Sequence, residues 1–244
     1  MVVIEKINQA LILAGGEGTR LRPITSKIPK PMVEINSKPF LEYQLELVAK
    51  NGITDVILAV GYLWEQIKDY FGSTFQTSSM KSVDLHYSVE PRFLGTGGAI
   101  KNAERFIDDY FYVLYGDTYL PIDYQQLGQL IFERNTIGVL SVYKNQDKIV
   151  NNNVIVDGEG YIVKYNKTRQ TPEMTGVEAG TAVFNKRLLE YLPTELPADQ
   201  KVSLEIDIYP KLIKERQLFS YETEIRFYDM GTLERLKSIS EVLR

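Results

Sequence analysis

Arg20, Arg22, Lys27 and Lys30 follow a glycine-rich turn of Gly15, Gly16 and Gly18, and no acid stands between Glu17 and Glu34. In a chain of net charge −4, that local excess marks an anion site. Glycines admit left-handed backbone angles and let amide groups approach a ligand without Cβ interference, which is how a chain cradles phosphate oxygens. Two familiar phosphate loops are nevertheless excluded. A dinucleotide fingerprint GxGxxG starting at Gly16 needs a glycine where Leu21 stands, and a Walker A loop starting at Gly15 needs Gly-Lys-Ser/Thr where Arg20, Leu21 and Arg22 stand.

Acidic side chains at the ends of apolar runs are the next candidates. Asp117 follows Phe111–Tyr115 and Gly116, and Asp229 sits in Tyr228-Asp229-Met230-Gly231-Thr232. Each is followed at once by a turn residue, which places a carboxylate at a sheet edge; a turn or helix N-cap aspartate fits either position equally well. Glu90 ends an alternating segment and precedes Pro91-Arg92-Phe93-Leu94-Gly95-Thr96-Gly97-Gly98, a glycine-lined entry into a helix. His86, the one histidine, lies within that alternating segment and reads as packing or surface. No Ser/His/Asp grouping and no zinc-ligand spacing exists.

The elements that must hold these residues follow from periodicity. Ala10 to Ala14 is a short apolar run of the buried parallel-strand type. A crossover helix runs from the Ser37 and Pro39 start to the Asn51-Gly52 stop, with Leu41, Leu45, Val48 and Ala49 on one face. A strand at Asp55–Val60 and a helix ending near Gly72 come next. Residues 72–82 read as a surface loop. Val83–Glu90, Phe111–Tyr115, Gly138–Val142, 176–184 and 219–221 read as further strands, and Asn153–Val156 with Tyr161–Tyr165 as a hairpin. Asp123–Arg134, the stretch through Leu188, Leu189 and Leu192, the stretch that Ser203 caps and Leu233–Leu243 read as helices. Residues 2–8 read as an extension, and Pro193 and Pro197 bracket a loop. In open α/β sheets ligands sit beyond the carboxyl ends of the strands, so the turns after Ala14, Glu90 and Tyr115 should face one crevice.

A chain of 244 residues, 44% hydrophobic, can bury a large core as one domain. The expected arrangement is a first half over about 9–135 that carries the anion site, a second half over about 136–232 and a final helix over 233–243. The absence of cysteine excludes disulfide and thiolate chemistry and suits a reducing compartment. No apolar run approaches the roughly 18 residues of a membrane span, and the N-terminus lacks the pattern of a signal peptide, so a soluble, cytoplasmic protein is expected. A pI near 5.3 without a long basic stripe argues against nucleic acid as a partner.

The combination GGxGTRLRP followed by PKPM resembles the signature of the sugar-1-phosphate nucleotidyltransferases, and the resemblance runs from about Gln9 to the last helix. It implies a single-domain, Rossmann-like α/β fold with a mixed, mainly parallel sheet of the nucleotide-diphospho-sugar transferase type. It also implies Mg²⁺-dependent transfer of a nucleoside monophosphate from a triphosphate to a sugar 1-phosphate, with a nucleotide-binding half over about 9–135 and a sugar-binding half over about 136–232. Asp117 and Asp229 match the metal-binding aspartates of that family. Arg20 and Lys30 match its phosphate ligands and, with Asp117, the catalytic set, whereas Arg22 and Lys27 read as solvated or structural. Leu13, Ala14, Gly15, Gly16, Gly18, Thr19, Arg20, Glu90, Gly95 and Thr96 match nucleotide-binding positions.

Glu90 stands five residues before Gly95, where relatives read the base edge. A carboxylate there could accept both N1–H and N2–H₂ of guanine, which favours GTP. Gly116, Lys167, Glu178 and Gly180 match sugar-phosphate-binding positions. Three departures blur that pocket: Asn166 replaces the acid before Lys167, Glu178 replaces an asparagine, and Asn151-Asn152-Asn153 replaces a Tyr-Gly pair.

The GTGGAI stretch points to the guanylyltransferases acting on manno-heptose 1-phosphate. A uridylyl-, thymidylyl- or cytidylyltransferase on another sugar or non-sugar phosphate is the alternative within the class, and a non-catalytic nucleotide-sugar-binding regulator the alternative outside it. Many relatives form dimers or larger assemblies, which leaves a homodimer open.

Overall fold

Three of the eight strands of the central sheet carry uninterrupted apolar runs, ALILA, VILAV and FYVLY, of the kind that burial on both faces demands. In a computed structural model of the chain, which describes residues 6–148, 150–196 and 199–243, the eight strands are β1 (Gln9–Ala14), β2 (Asp55–Val60), β3 (Thr74–Gln76), β4 (Ser82–Val89), β5 (Tyr110–Tyr115), β6 (Gly138–Tyr143), β7 (Val177–Asn185) and β8 (Leu218–Thr223). They lie in the order β8-β6-β7-β5-β1-β2-β4-β3. β1 pairs in parallel with both β2 and β5, β2 with β4, and β6 with β8. β7 runs antiparallel between β5 and β6, and β3 antiparallel at one edge. The sheet is therefore mixed and mainly parallel, as expected.

The strand β3 corrects the reading of residues 72–82 as loop. Three polar-flanked residues pair Thr74, Phe75 and Gln76 with Asp84, Val83 and Ser82. So short an edge strand carries too little alternation to be seen in the sequence. Residues 2–5 of the expected extension, and Pro197 of the expected proline-bracketed loop, lie outside the described residues.

Side chains alternate across the sheet and feed two cores. From β1, Ala10, Ile12 and Ala14 join the cluster under the helices α1 (Phe40–Lys50), α2 (Trp64–Phe71) and α4 (Tyr124–Arg134); Leu11 points to the other face, under α3 (Thr96–Asn102) and α5 (Tyr209–Lys214). The stretch that Ser203 caps opens as a π-helical turn, Leu204–Ile208, before α5, with the Ser203 hydroxyl accepting from Ile206 N–H.

A third, smaller cluster fixes the mouth of the crevice. Leu21, Ile35, Phe40, Met230, Ile239 and Leu243 pack together and tie the last helix, α6 (Leu233–Val242), to the residues that follow the glycine turn. Asn36 adds a side-chain donor 2.8 Å from the Ser240 carbonyl.

Two buried contacts set the site's floor. Gln44, on the inner face of α1, donates to the carbonyls of Tyr115 at 2.9 Å and Thr118 at 2.8 Å, bracing the turn that carries Asp117. At the start of α3, the amides of Gly97 and Gly98 donate to the Val202 carbonyl at 2.8 and 3.1 Å. Gly95 adopts φ +81°, and a Cβ there would lie 2.6 Å from that carbonyl oxygen. Gly95→Ala combines backbone strain with an overlap onto backbone that cannot move aside, so it should lower stability by about 2 to 4 kcal/mol. A urea titration checks this; an unchanged midpoint would contradict the packing role.

Candidate functional site

The turns after β1, β4 and β5 do converge. They line a cleft of about 560 Å³ whose walls include Leu13 to Leu21, Lys30, Glu90, Phe93, Gly95, Thr96, Tyr115, Gly116 and Asp117. Within the glycine turn, Gly18 alone has a left-handed φ, +61°, so the expectation of left-handed angles holds there and not at Gly15 or Gly16. Gly15 serves close approach instead: a Cβ at this position would lie 2.1 Å from Glu90 Oε1.

Glu90 closes one end of this cleft. It is 7% exposed and its Oε2 accepts from Leu94 N–H at 2.9 Å. Burial raises its pKa, partly offset by that hydrogen bond. Phe93, 49% exposed, stands near it with Lys201 Nζ 4.5 Å from its ring centre.

At the other end lie the charges. Lys30 Nζ donates to Asp117 Oδ2, joining the two across 87 positions of sequence. Burial would raise the Asp117 pKa, but the Lys30 charge and hydrogen bond outweigh it and hold the carboxyl below its ordinary value. Met230 N–H donates to the Asp117 carbonyl at 2.9 Å, and Asp229 is registered against Thr118 in a short antiparallel pair. This short ladder brings the two aspartates together beyond the carboxyl end of β5 although they are far apart in the chain. Asp229 accepts from Gly231 N–H at 2.7 Å and from Arg235 Nη1, at 3.0 Å to Oδ1 and 2.7 Å to Oδ2.

Arg20 lines the cleft without an ion pair to any described residue. Arg22 pairs with Glu17 at 3.1 Å, about half exposed, in keeping with its omission from the catalytic set. His86 pairs with Asp55 at 3.4 Å and stacks on Phe106, a structural place at the sheet's edge.

Beside Asp117 is a buried acidic pair that the sequence showed only in part. Glu205 accepts from the hydroxyls of Tyr115 at 2.6 Å, Thr96 at 2.7 Å and Ser203 at 2.7 Å, and Lys167 Nζ lies 3.6 Å away. Burial alone would raise its pKa; these hydroxyls and Lys167 bring it below the ordinary value. Glu178, 8% exposed, accepts from Gly180 N–H at 2.8 Å and has its pKa pushed up to about 7, chiefly by burial.

A carboxyl whose pKa is raised on folding binds its proton more tightly in the native state. Its stabilising contribution is complete below its ordinary value and is lost as pH rises toward about 7. The urea midpoint should therefore fall from about pH 5 to about pH 7.5 in the native protein, and less in Glu178→Gln. Parallel curves for the two proteins would contradict the assignment.

A profile described as nucleotidyl transferase matches residues 9–244. The chain belongs to the nucleotidyl transferase family.

Within that family, the D-glycero-alpha-D-manno-heptose 1-phosphate guanylyltransferase of Campylobacter jejuni is 50% identical over 119 residues, which are 49% of this chain and 52% of that protein. The protein of the same name from Aneurinibacillus thermoaerophilus is 30% identical over 226 residues, 91% of this chain and 93% of the relative. The chain spans about half of the length of the Campylobacter protein and about three fifths of several other curated relatives it matches. The crystal structure of HddC from Yersinia pseudotuberculosis is 28% identical, covers 98% of this chain and 100% of its own, and gives a TM-score of 0.78; the same protein has been solved complexed with GMP-PN.

Set against this nucleotidyl transferase fold, the expected nucleotide positions Leu13, Ala14, Gly15, Gly16, Gly18, Thr19, Arg20, Glu90, Gly95 and Thr96 all line the one cleft, as do Lys30, Gly116 and Asp117. Asp229, Lys167, Glu178 and Gly180 stand just beyond its walls, Gly180 with a Cβ position 2.7 Å from Thr118. Sequence reasoning missed Gln44, Tyr115, Lys201, Glu205 and Arg235. Gln44, at the three-residue and one-residue spacing from Leu41 and Leu45, was the one with a signal: a polar side chain on the buried stripe of a helix needs a partner. Glu205 and Arg235 look like ordinary solvated helix charges.

Proposed function

We propose that the chain transfers a guanosine monophosphate group from GTP to a manno-heptose 1-phosphate. A sugar phosphate oxygen forms a bond to the α-phosphorus, the bond from that phosphorus to the bridging oxygen breaks, and pyrophosphate leaves with the electron pair. Because both reactants are anions and no proton need be removed from the nucleophile, positioning and charge neutralisation carry the reaction.

The observation that carries this reading is the layout of one cleft, with a buried carboxylate at one end and Arg20, Lys30 and Asp117 at the other. A carboxylate offers only acceptors, which suits the two adjacent donors of guanine better than the mixed edge of uracil or thymine. The guanylyltransferase relatives and the GMP-PN complex of the Yersinia protein support the same base. In this reading Lys167, Glu178 and Gly180 face the sugar phosphate, and the Lys167–Glu205 pair holds that lysine toward Asp117.

Mg²⁺ is the expected cofactor. No group of three or more acidic or histidine ligands exists among the described residues. Two carboxylates on one short ladder do fit an ion that takes one or two protein carboxylates and completes its shell with phosphates and water. Asp117 and Asp229 would hold it, and it would supply positive charge at the triphosphate. Among the described residues, no helix is long and apolar enough to cross a membrane. The reaction is proposed for the cytoplasm on the ground that a chain without cysteine suits a reducing compartment.

Thermal unfolding in the presence of Mg²⁺ and each of GTP, UTP, dTTP, CTP and ATP tests the base. Saturating GTP at about 100 times its dissociation constant adds roughly 2.7 kcal/mol of stability. A shift with GTP and little with the others is expected; the largest shift with UTP or dTTP would overturn the base assignment.

A further inference from the structure

Both aspartates of the proposed metal site are already neutralised by cations of the chain, and the two cations differ in kind. Lys30 on Asp117 lies inside the cleft, where the phosphates would also claim it. Arg235 on Asp229 belongs to α6, beyond the cleft wall, and no motif in the sequence singles it out. Its position is nonetheless close to the phosphate end. The point where a Cβ on Gly231 would stand is 2.6 Å from Asp229 Oδ1, 3.6 Å from Arg235 Nη1 and 3.7 Å from Arg20 Nη1. Two guanidinium groups and one carboxylate therefore crowd a single glycine that lines the cleft.

We infer that Arg235 is a counter-ion that is exchanged during the reaction. It occupies Asp229 while no divalent cation is bound, and on metal binding its guanidinium turns to the triphosphate beside Arg20 and receives the departing pyrophosphate. This rests on the metal reading above. The reasoning is one of charge: a carboxylate that accepts Gly231 N–H and a guanidinium nitrogen on both its oxygens has little capacity left for a metal ion, so the ion and Arg235 compete. Gly231 has no side chain to stand between the guanidinium and the cleft, which leaves Arg235 a short path to the anion it would meet. Its base is firm, because Met230 and Ile239 on either side are fully buried in the third cluster. A guanidinium also suits both partners, since its planar fork matches carboxylate and phosphate alike.

The test measures Mn²⁺ binding by electron paramagnetic resonance on the full chain without nucleotide, where Arg235 competes for Asp229 and has no triphosphate to turn to. Kinetics of the reverse reaction with varied pyrophosphate are measured in parallel. Arg235→Gln should bind Mn²⁺ about three- to ten-fold more tightly, the loss of one charge-assisted competitor. It should also raise the KM for pyrophosphate at least about ten-fold while leaving that of the nucleotide sugar unchanged. Arg235→Lys, which keeps the charge but not the fork, should fall between, and it also serves if the glutamine variant does not fold. Weaker or unchanged Mn²⁺ affinity in folded Arg235 variants would overturn the exchange and leave Arg235 as a prop for Asp229. Asp229→Asn separates the two claims: unchanged Mn²⁺ affinity in that variant would defeat the metal reading itself.

Discussion

Asp117→Asn should lower kcat roughly 10³-fold or more with the fold intact, because it removes the carboxylate that would hold Mg²⁺ at the triphosphate and that fixes Lys30 beside it. The variant keeps the shape of the side chain, and its turn is held through backbone groups: Gln44 grips the carbonyls of Tyr115 and Thr118, and Met230 N–H the carbonyl of Asp117. The loss should therefore appear in kcat while the cleft still binds nucleotide. Lys30→Met should cost a similar factor. Because Lys30 and Asp117 are bonded to each other, the double variant should be much less impaired than the product of the two single effects. Strict multiplication of the two losses would mean that they act independently, against the shared site described above.

The second large effect concerns the base. Glu90→Gln exchanges a pure acceptor for a group with one acceptor and one donor face at the closed end of the cleft. The side chain is buried and fixed by Leu94 N–H, so it cannot swing aside to hide a mismatch. Sites that hydrogen-bond a substrate group reject a mismatched analogue strongly, because their buried polar atoms are left unpaired. The ratio of kcat/KM for GTP over UTP should drop about 10²-fold or more, mostly through loss with GTP, as read from initial rates with each triphosphate. A ratio that stays put would remove Glu90 from base selection and favour the uridylyl or thymidylyl alternative.

What could be read ahead of the fold was whatever rests on local rules. The strand ends at Ala14 and Tyr115 were legible because apolar runs stop where glycine begins. The alternating strand reads to Glu90 and ends one residue earlier, at Val89, and the rule that ligands gather at such ends placed three turns in one cleft. Asp117 and Asp229 could be suspected from the same pattern. The antiparallel course of β7 between two strands of the opposite direction had no local signal, because a strand buried on both faces reads the same in either direction.

Long-range partners were equally hidden. The segment Lys201–Glu205 lies against the Gly95–Gly98 turn, so Gly97 and Gly98 serve packing against Val202 as well as the helix entry. Glu205 gathers hydroxyls from Thr96 and Tyr115, which lie 109 and 90 positions away. No spacing rule within one element connects such residues.

The most direct measurement of the central claim is pyrophosphate release from GTP, Mg²⁺ and a manno-heptose 1-phosphate, followed in the native protein and in Asp117→Asn. Release that requires both substrates, in equal amounts with a GDP-sugar product, and that nearly vanishes in the variant is the result predicted here. Equal release from the two proteins, or none from either with a correctly folded chain, would contradict it.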